Sequence, residues 1–446
     1  MRVLALDVGS SSVRARLFDE RARELAGGAR RTYEPRRGRG GSAELDADEL
    51  VAASRAVLEE AAFEAFDALA ISCFWHSLLV LDKRGRPLTA VLLWEDRRAA
   101  RQAEELAERL DRDRVHARTG CYLHPSYWPA KLAWLQAERP DVLASARHVV
   151  SFGDYLFHTL AGELQTSHST ASGTGLYDLR GRSWDEELLA TLGLEASVLP
   201  PLGDDAVGEP PVFPPLGDGA CSNLGAGCTT PERAALTIGS SGAYRVVREV
   251  VPEPRPGLFC YVVDGRRFVE GGAVSDGGNL DAWLGRTLLP DSREPGEPDG
   301  HGLTFLPLLG GERSPGWNPR ATGAVVGLTF RVDPTDLRQA ALEGITYRLA
   351  EIAEALPEVR EVVATGRALL ASPAWIQLCT DVLDRPVTAS AVPEGSARGA
   401  AVHALDQLRL KADPAPLGVT YEPDRKRVEI YAAARARQRD LYNRLF

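Results

Sequence analysis

Long apolar runs, a basic excess and paired cysteines are all missing from this chain of 446 residues. No apolar stretch approaches the roughly 20 residues that a membrane-spanning helix needs. Lys and Arg number 52 against 62 Asp and Glu, a formal net charge of −10. There is therefore no basic stripe of the kind that binds nucleic acid or an anionic membrane. An anionic small molecule is not excluded, because local charge decides that. The six cysteines, at 73, 121, 221, 228, 260 and 379, form no C-x-x-C pair, which argues against a zinc site or a disulfide framework. They read as buried thiols in a reducing compartment. The first residues enter a strand with no basic segment or apolar leader before it, so the expected location is the cytoplasm. A Walker loop, G-x-x-x-x-G-K-[ST], is absent as well.

What is present is a repeat. Leu6-Asp7-Val8-Gly9-Ser10-Ser11-Ser12-Val13 returns as Leu236-Thr237-Ile238-Gly239-Ser240-Ser241-Gly242-Ala243. In each copy an apolar strand runs into Gly-Ser-Ser and out into a second apolar stretch, the pattern of a β-hairpin. Its turn offers N–H groups and hydroxyls, donors that suit an anion. Two such hairpins in two halves suggest one ligand held from both sides, and a polyphosphate nucleotide is the obvious candidate. The length exceeds that at which single cores stop growing, so two domains are expected, 1–230 and 231–446. With 44% hydrophobic and 26% charged residues, full cores are available to both.

Periodicity places strands at 3–8, 13–18 and 69–72, and a helix capped by Asp46 with Glu49 three residues on. Further helices are expected over 96–110 and after Pro129, the latter carrying Lys131. Residues 199–219, rich in Pro and Gly, read as an ordered crossing segment. The second half restarts with strands at 234–238 and 243–247. A helix then opens at Asp333-Pro334, with proline at the permitted first position. Strand 361–364 ends in Thr365-Gly366, and helices open at Ser372-Pro373 and span 397–408. Residues 290–302 are expected as an exposed loop, 36–41 as a surface turn, and 425–446 as a segment that packs through Val428, Ile430 and Tyr431. Strands alternate with helices in both halves, so the class is α/β.

Asp7, at a strand end, suits Mg2+ held through water, and Arg14 can neutralise phosphate charge. Gly217-Asp218-Gly219 is by itself a turn. If the halves close on a nucleotide, however, Asp218 lies near the seam and can take a proton from an attacking hydroxyl. His76, after Trp75, is alone an edge histidine, and Trp94-Glu95-Asp96-Arg97 a helix start. With Lys131 they offer an aromatic wall, donors and positive charge, a set that suits a polyol or a sugar acid. Arg97 and Lys131 are the candidates for a substrate carboxylate. Gly310-Gly311-Glu312-Arg313-Ser314-Pro315 reads as a tight turn with internal charge pairing.

These residues, in this order, resemble the FGGY carbohydrate kinases. The resemblance runs from Asp7–Arg14 through Trp75-His76, Trp94–Arg97, Gly217–Gly219 and Thr237–Gly242. It continues through Gly271-Gly272, Gly277-Gly278-Asn279, Leu306–Pro315, Gly323 and Glu343-Gly344 to Ser372–Leu383 and Glu394–Ala400. It implies two ribonuclease-H-like domains of the actin-type ATPase fold, with the active site in the cleft between them. It implies ATP and Mg2+ as cofactors, Asp218 as catalytic base and Asp7 as the metal residue. Gly9, Ser10, Ser11, Arg14, Gly239 and Ser240 would attend the phosphates, and Gly278, Gly366, Arg367 and Ser372 the rest of the nucleotide. His76, Trp94, Asp96 and Arg97 match positions that line the sugar site, and Lys131 is added to them on its charge alone. Asp218–Gly225 and Ala171–Leu176 look most like gluconate kinases. Two departures stand out: Gly366 is followed by Arg367-Ala368 where consecutive glycines are usual, and Ser167 stands where many relatives have Asp.

The expected activity is phosphorylation of gluconate to 6-phosphogluconate. A kinase for xylulose or another ketose or polyol, and a non-catalytic sugar or nucleotide sensor, are the competing readings. Arg367 is the best argument for the last. The sequence leaves open whether the chain forms a homodimer.

Overall fold

The computed structural model describes residues 1–62, 65–251, 253–288 and 296–446. Its first sheet contains β1 (Arg2–Val8), β2 (Ser12–Asp19), β3 (Ala29–Thr32), β4 (Ala68–Cys73) and β5 (Leu216–Gly217), in the order β3-β2-β1-β4-β5. β1 pairs antiparallel with β2 and parallel with β4, and β4 pairs parallel with β5. Helix α1 (Ala47–Ala61) follows the Asp46 cap, whose side chain accepts from the N–H groups of Asp48 and Glu49. α2 covers Ala100–Arg109 and α3 covers Trp128–Glu138. α2 begins later than the expected 96 because Asp96 is committed elsewhere, accepting from Ala43 N and Arg98. The crossing segment ends in β5 and runs straight into α4 (Asp218–Gly225).

The second sheet repeats the plan. β6 (Arg233–Ile238) pairs antiparallel with β7 (Gly242–Arg248) and parallel with β10 (Glu361–Thr365); β8 (Phe259–Val262) and β9 (Phe268–Val274) extend one side, β11 (Val387–Ser390) and β12 (Leu417–Tyr421) the other. The order is β8-β9-β7-β6-β10-β11-β12. The run β3-β2-β1-β4-β5 is thus matched, in order and direction, by β9-β7-β6-β10-β11. The hairpin repeat read from sequence is the centre of a repeated sheet. Helices α5 (Gly278–Thr287), α6 (Pro334–Glu354), α7 (Arg367–Leu370), α8 (Pro373–Leu383), α9 (Gly395–Gln407) and α10 (Arg425–Leu445) complete it. α10 docks on the second half through buried Tyr431, Ala434 and Gln438, whereas Ile430 stays exposed. Of the expected loop 290–302, residues 290–295 lie outside the described residues; 296–302 form turns. No helix among the described residues is long and apolar enough to cross a membrane.

The halves meet on α4 and α9. α9, though late in the chain, packs on β1 and β4 of the first sheet, and α4 reaches β6 and β7 of the second. They cross backbone to backbone: a Cβ on Gly225 would lie 1.8 Å from Gly395 O, and one on Gly399 1.8 Å from Cys221 O. Buried Ala220, Leu224, Ala397, Ala400, Ala401 and Ala404 fill the rest of this small-residue seam. A larger residue must push two well-packed helices apart, at a cost of about 1–3 kcal/mol or more. Gly399→Val is therefore expected to lower stability by at least that amount in urea unfolding, whereas Gly395→Ala, where no atom lies within 4 Å of the new methyl, is expected to be tolerated.

Candidate functional site

Asp7 is the next-to-last residue of β1, paired with Ser72, next to last on β4, and Ser72 Oγ donates to Asp7 Oδ1 at 2.8 Å. Arg14, its cross-strand partner on β2, brings Nε to 3.2 Å from Asp7 Oδ2. Arg14 Nη1 donates to Glu394 Oε2 at 2.8 Å, so the residue before α9 is tied to the first half. Burial pushes the Asp7 carboxyl above its usual range, with Arg14 and Ser72 opposing the rise.

The two Gly-Ser-Ser turns are not superimposable. Four residues separate paired Val8 and Val13, but only three separate Ile238 and Gly242. Ser11 and Ser240 are exposed, and Ser10 and Gly239 half-buried. The second turn is braced by the start of α5, where Gly278 N donates to Gly239 O at 2.9 Å and Asn279 N to Ser240 O at 3.1 Å. Gly366, at φ 86°, is pressed on the backbone of Ile238 and opens α7. Arg367 is exposed at the start of α7. Burial lowers the Arg30 pKa, and the charges of Arg14, Arg367 and Arg16 add to the effect while Glu394 opposes it. Arg14 and Arg16 are themselves paired with Asp7, Glu24 and Glu394. Ser372 caps α8 by accepting from Trp375 N.

Asp218 is the first residue of α4 and is half-buried. Its glycine neighbours make room for Trp75: a Cβ on Gly217 would lie 1.7 Å from the indole, and one on Gly219 2.6 Å. Burial raises the Asp218 pKa to about 6, with Arg245 opposing and Asp7 adding to the rise. Arg245, on β7 of the other half, is held by Asn223 Oδ1 at 3.1 Å and Thr237 Oγ1 at 3.0 Å. Burial lowers its own pKa to about 10. Asp218, Trp75, His76 and Trp94 from the first half face Ser241, Arg245, Tyr261 and Arg313 from the second across a cavity of about 80 Å³. Neutral hydrogen bonds close the seam beside it, with Tyr127 Oη and Tyr261 Oη 2.6 Å apart and His124 Nε2 2.8 Å from Glu312 O.

The sugar-side residues divide. His76 and Trp94 line the cavity. Asp96 and Arg97 line a smaller hollow next to it, where Arg97 Nη2 donates to Pro319 O at 2.8 Å across the seam. Lys131 is 1% exposed and donates to His76 O at 2.7 Å, which holds the left-handed His76 (φ 68°) in place. Lys131 and Arg97 are thus occupied by backbone carbonyls. The internal pairing expected in 310–315 is not formed: Glu312 pairs with Arg348, and Arg313 stacks 4.2 Å over Trp94. Sequence reasoning missed Arg245 and Arg313. The Arg in the 310–315 turn was the one visible signal, set aside as locally paired.

Outside the cleft, Asp299, His301 and Glu343 gather, but as a hydrogen-bonded trio. His301 Nδ1 accepts from Leu303 N at 2.9 Å, so the ring proton is on Nε2 and points to Glu343 Oε2 at 3.1 Å. That nitrogen has no lone pair for a metal.

Models of the FGGY family of carbohydrate kinases match the chain twice, the N-terminal domain over residues 2–206 and the C-terminal domain over 260–406. The sequence is 29% identical to the gluconokinase of Bacillus subtilis strain 168, covering 90% of this chain and 87% of that one. Among solved structures, a ligand-bound xylulose kinase from Lactobacillus acidophilus superposes with TM-score 0.89 at 26% identity, over 100% of this chain and 98% of that one. A gluconate kinase from the same organism superposes with TM-score 0.87 at 25% identity, with the same coverage.

Burial lowers the Lys131 pKa from 10.5 to about 7, with Asp96 opposing. Between those values the unfolded chain binds the extra proton, so this side chain makes stability rise with pH. Urea unfolding of wild type and Lys131→Met at pH 7 and 9.5 is expected to show the wild type gaining on the order of 3 kcal/mol relative to the variant. A constant difference would mean that the ammonium is not desolvated.

Proposed function

Since the chain belongs to the FGGY family of carbohydrate kinases, it is a sugar kinase phosphotransferase, and we propose that it transfers the γ-phosphoryl group of ATP to the terminal hydroxyl of gluconate. The observation that carries the reading is Asp218, set at a helix start, with its pKa raised to about 6 beside a cavity shared by both halves. A carboxylate of that basicity is ionised at neutral pH and accepts a proton more readily than an ordinary one. Phosphoryl transfer asks little else of a protein than positioning and charge stabilisation.

In this reading the acceptor hydroxyl lies against Asp218, with Trp75 fixing the carboxylate from behind. Ser10 and Ser11 of the first turn and Ser240 of the second donate to the phosphates beside Arg14 and Arg367, while Gly9 and Gly239, whose own N–H groups bond Ser12 O and Ser241 O, let the phosphates approach the backbone closely. Gly278, Gly366 and Ser372 sit on the adenosine side. α5 leads from the second turn to an apolar hollow lined by Trp283, Leu308, Leu309 and Gly323, suited to a purine. After burial, the Asp7 charge adds to the rise of the Asp218 pKa, a like-charge repulsion that a dication relieves. Asp7 therefore fits Mg2+ held through water, which when bound supplies charge neutralisation on the phosphates. The closed seam keeps water from competing with the acceptor. The halves doing this work divide at about residues 230 and 231. An exposed Arg367 at a helix start supports a kinase over a sensor. The competing acceptor is a ketose such as xylulose, favoured by the structural likeness to a xylulose kinase.

Asp218→Asn is expected to lower kcat by about 10²–10⁴-fold with ATP binding changed less than about twofold. Retention of most of the turnover would remove Asp218 as base. In the wild type, kcat should fall with acid as one group titrates near pH 6. Arg245 opposes the Asp218 rise, so Arg245→Met is expected to move that limb to higher pH; an unmoved limb assigns it to another group. Coupled ADP-release assays over gluconate, xylulose and glycerol test the acceptor, with gluconate expected to give the highest kcat/KM.

A further inference from the structure

Resting on the kinase reading of this cavity, we propose that Arg313 binds a carboxylate on the acceptor and so restricts the enzyme to sugar acids. Arg313 is 8% exposed and lies 4.2 Å over the Trp94 ring, on the wall of the cavity that holds Asp218. Its Nη2 donates to Val274 O at 3.0 Å, and its Nε is sealed from solvent with no partner at all. Among the described residues no carboxylate comes within 4.0 Å of it; Asp218 and Asp276 act on it only through space. A buried guanidinium stays protonated, and leaving its donors unpaired is costly. The planar fork of N–H groups is shaped for a carboxylate.

The surroundings agree. His76 and His124 are neutral rings whose pKa values burial lowers to about 3, with the Arg313 charge adding to the effect. Arg97 and Lys131 act on His124 in the same sense. Neither of those two cations lines the cavity that holds Asp218, which leaves Arg313, with its unpartnered Nε, as the one placed to touch an anion there. Arg245, the other guanidinium there, is already engaged by Asn223 and Thr237 and governs Asp218. An aldonate carries an acid at one end and a primary hydroxyl at the other, and the cavity offers Arg313 to the first and Asp218 to the second.

The test is calorimetric titration of the wild type, Arg313→Met and Arg313→Lys with gluconate and with glucitol, its neutral polyol counterpart, without nucleotide. The wild type is expected to bind gluconate about 10²-fold tighter than glucitol. Arg313→Met should lose that preference with glucitol binding changed less than about threefold, and Arg313→Lys should keep part of it. Equal binding of the two ligands by the wild type, or an equal loss for both in Arg313→Met, overturns the proposal. If Arg313→Met does not fold, the wild-type preference and the Arg313→Lys titration decide. A parallel ADP-release assay separates the two readings. Preference for gluconate without ADP release sinks the kinase and leaves the carboxylate site, whereas turnover of xylulose alone sinks the carboxylate site and leaves the kinase.

Discussion

Two helices touching backbone to backbone set the geometry of everything else. α4 and α9 can approach so closely because Gly225 and Gly399 present no side chain to the opposite carbonyl. That contact fixes where α4 begins, and α4 begins with Asp218. It also fixes where α9 begins, just after the Glu394 that holds Arg14. The candidate base and the candidate phosphate edge are therefore placed by one crossing. Neither half positions its own polar groups alone.

The cleft is an expensive place to put charge. Desolvation moves Asp7 and Asp218 up and Lys131, Arg245 and Arg313 down, each toward neutrality. Only part of the cost is offset internally, by Arg14 on Asp7 and Arg245 on Asp218. The residual imbalance sits where charged ligands of opposite sign belong, the pattern expected of a functional site.

Much of this was legible in the chain. The two Gly-Ser-Ser hairpins, the α/β alternation and the caps at Asp46, Asp333 and Ser372 are local patterns, and local patterns survive folding. The family models match both halves, and the neighbours share the two-domain fold. What failed was non-local. Lys131 reads as a free cation until α3 buries it beneath His76. Gly217 and Gly219 read as a turn, yet their reason is an indole some 140 residues earlier in the chain. The turn 310–315 pairs its acid with Arg348 on α6, releasing Arg313 to the other half. Even the repeat concealed a one-residue difference between its turns, because matching the glycines hides the strand register.

The repeated sheet has a consequence for direction. α4 follows β5 as α9 follows β11, and each helix start carries an acid, Asp218 as the first residue of α4 and Glu394 just before α9. Here Arg14 and Arg16 close on Glu394 and neutralise it, while Arg245 is drawn aside by Asn223 and Thr237 and leaves Asp218 open. The choice of which acid is caged breaks the two-fold symmetry, and it gives a doubled fold a single front.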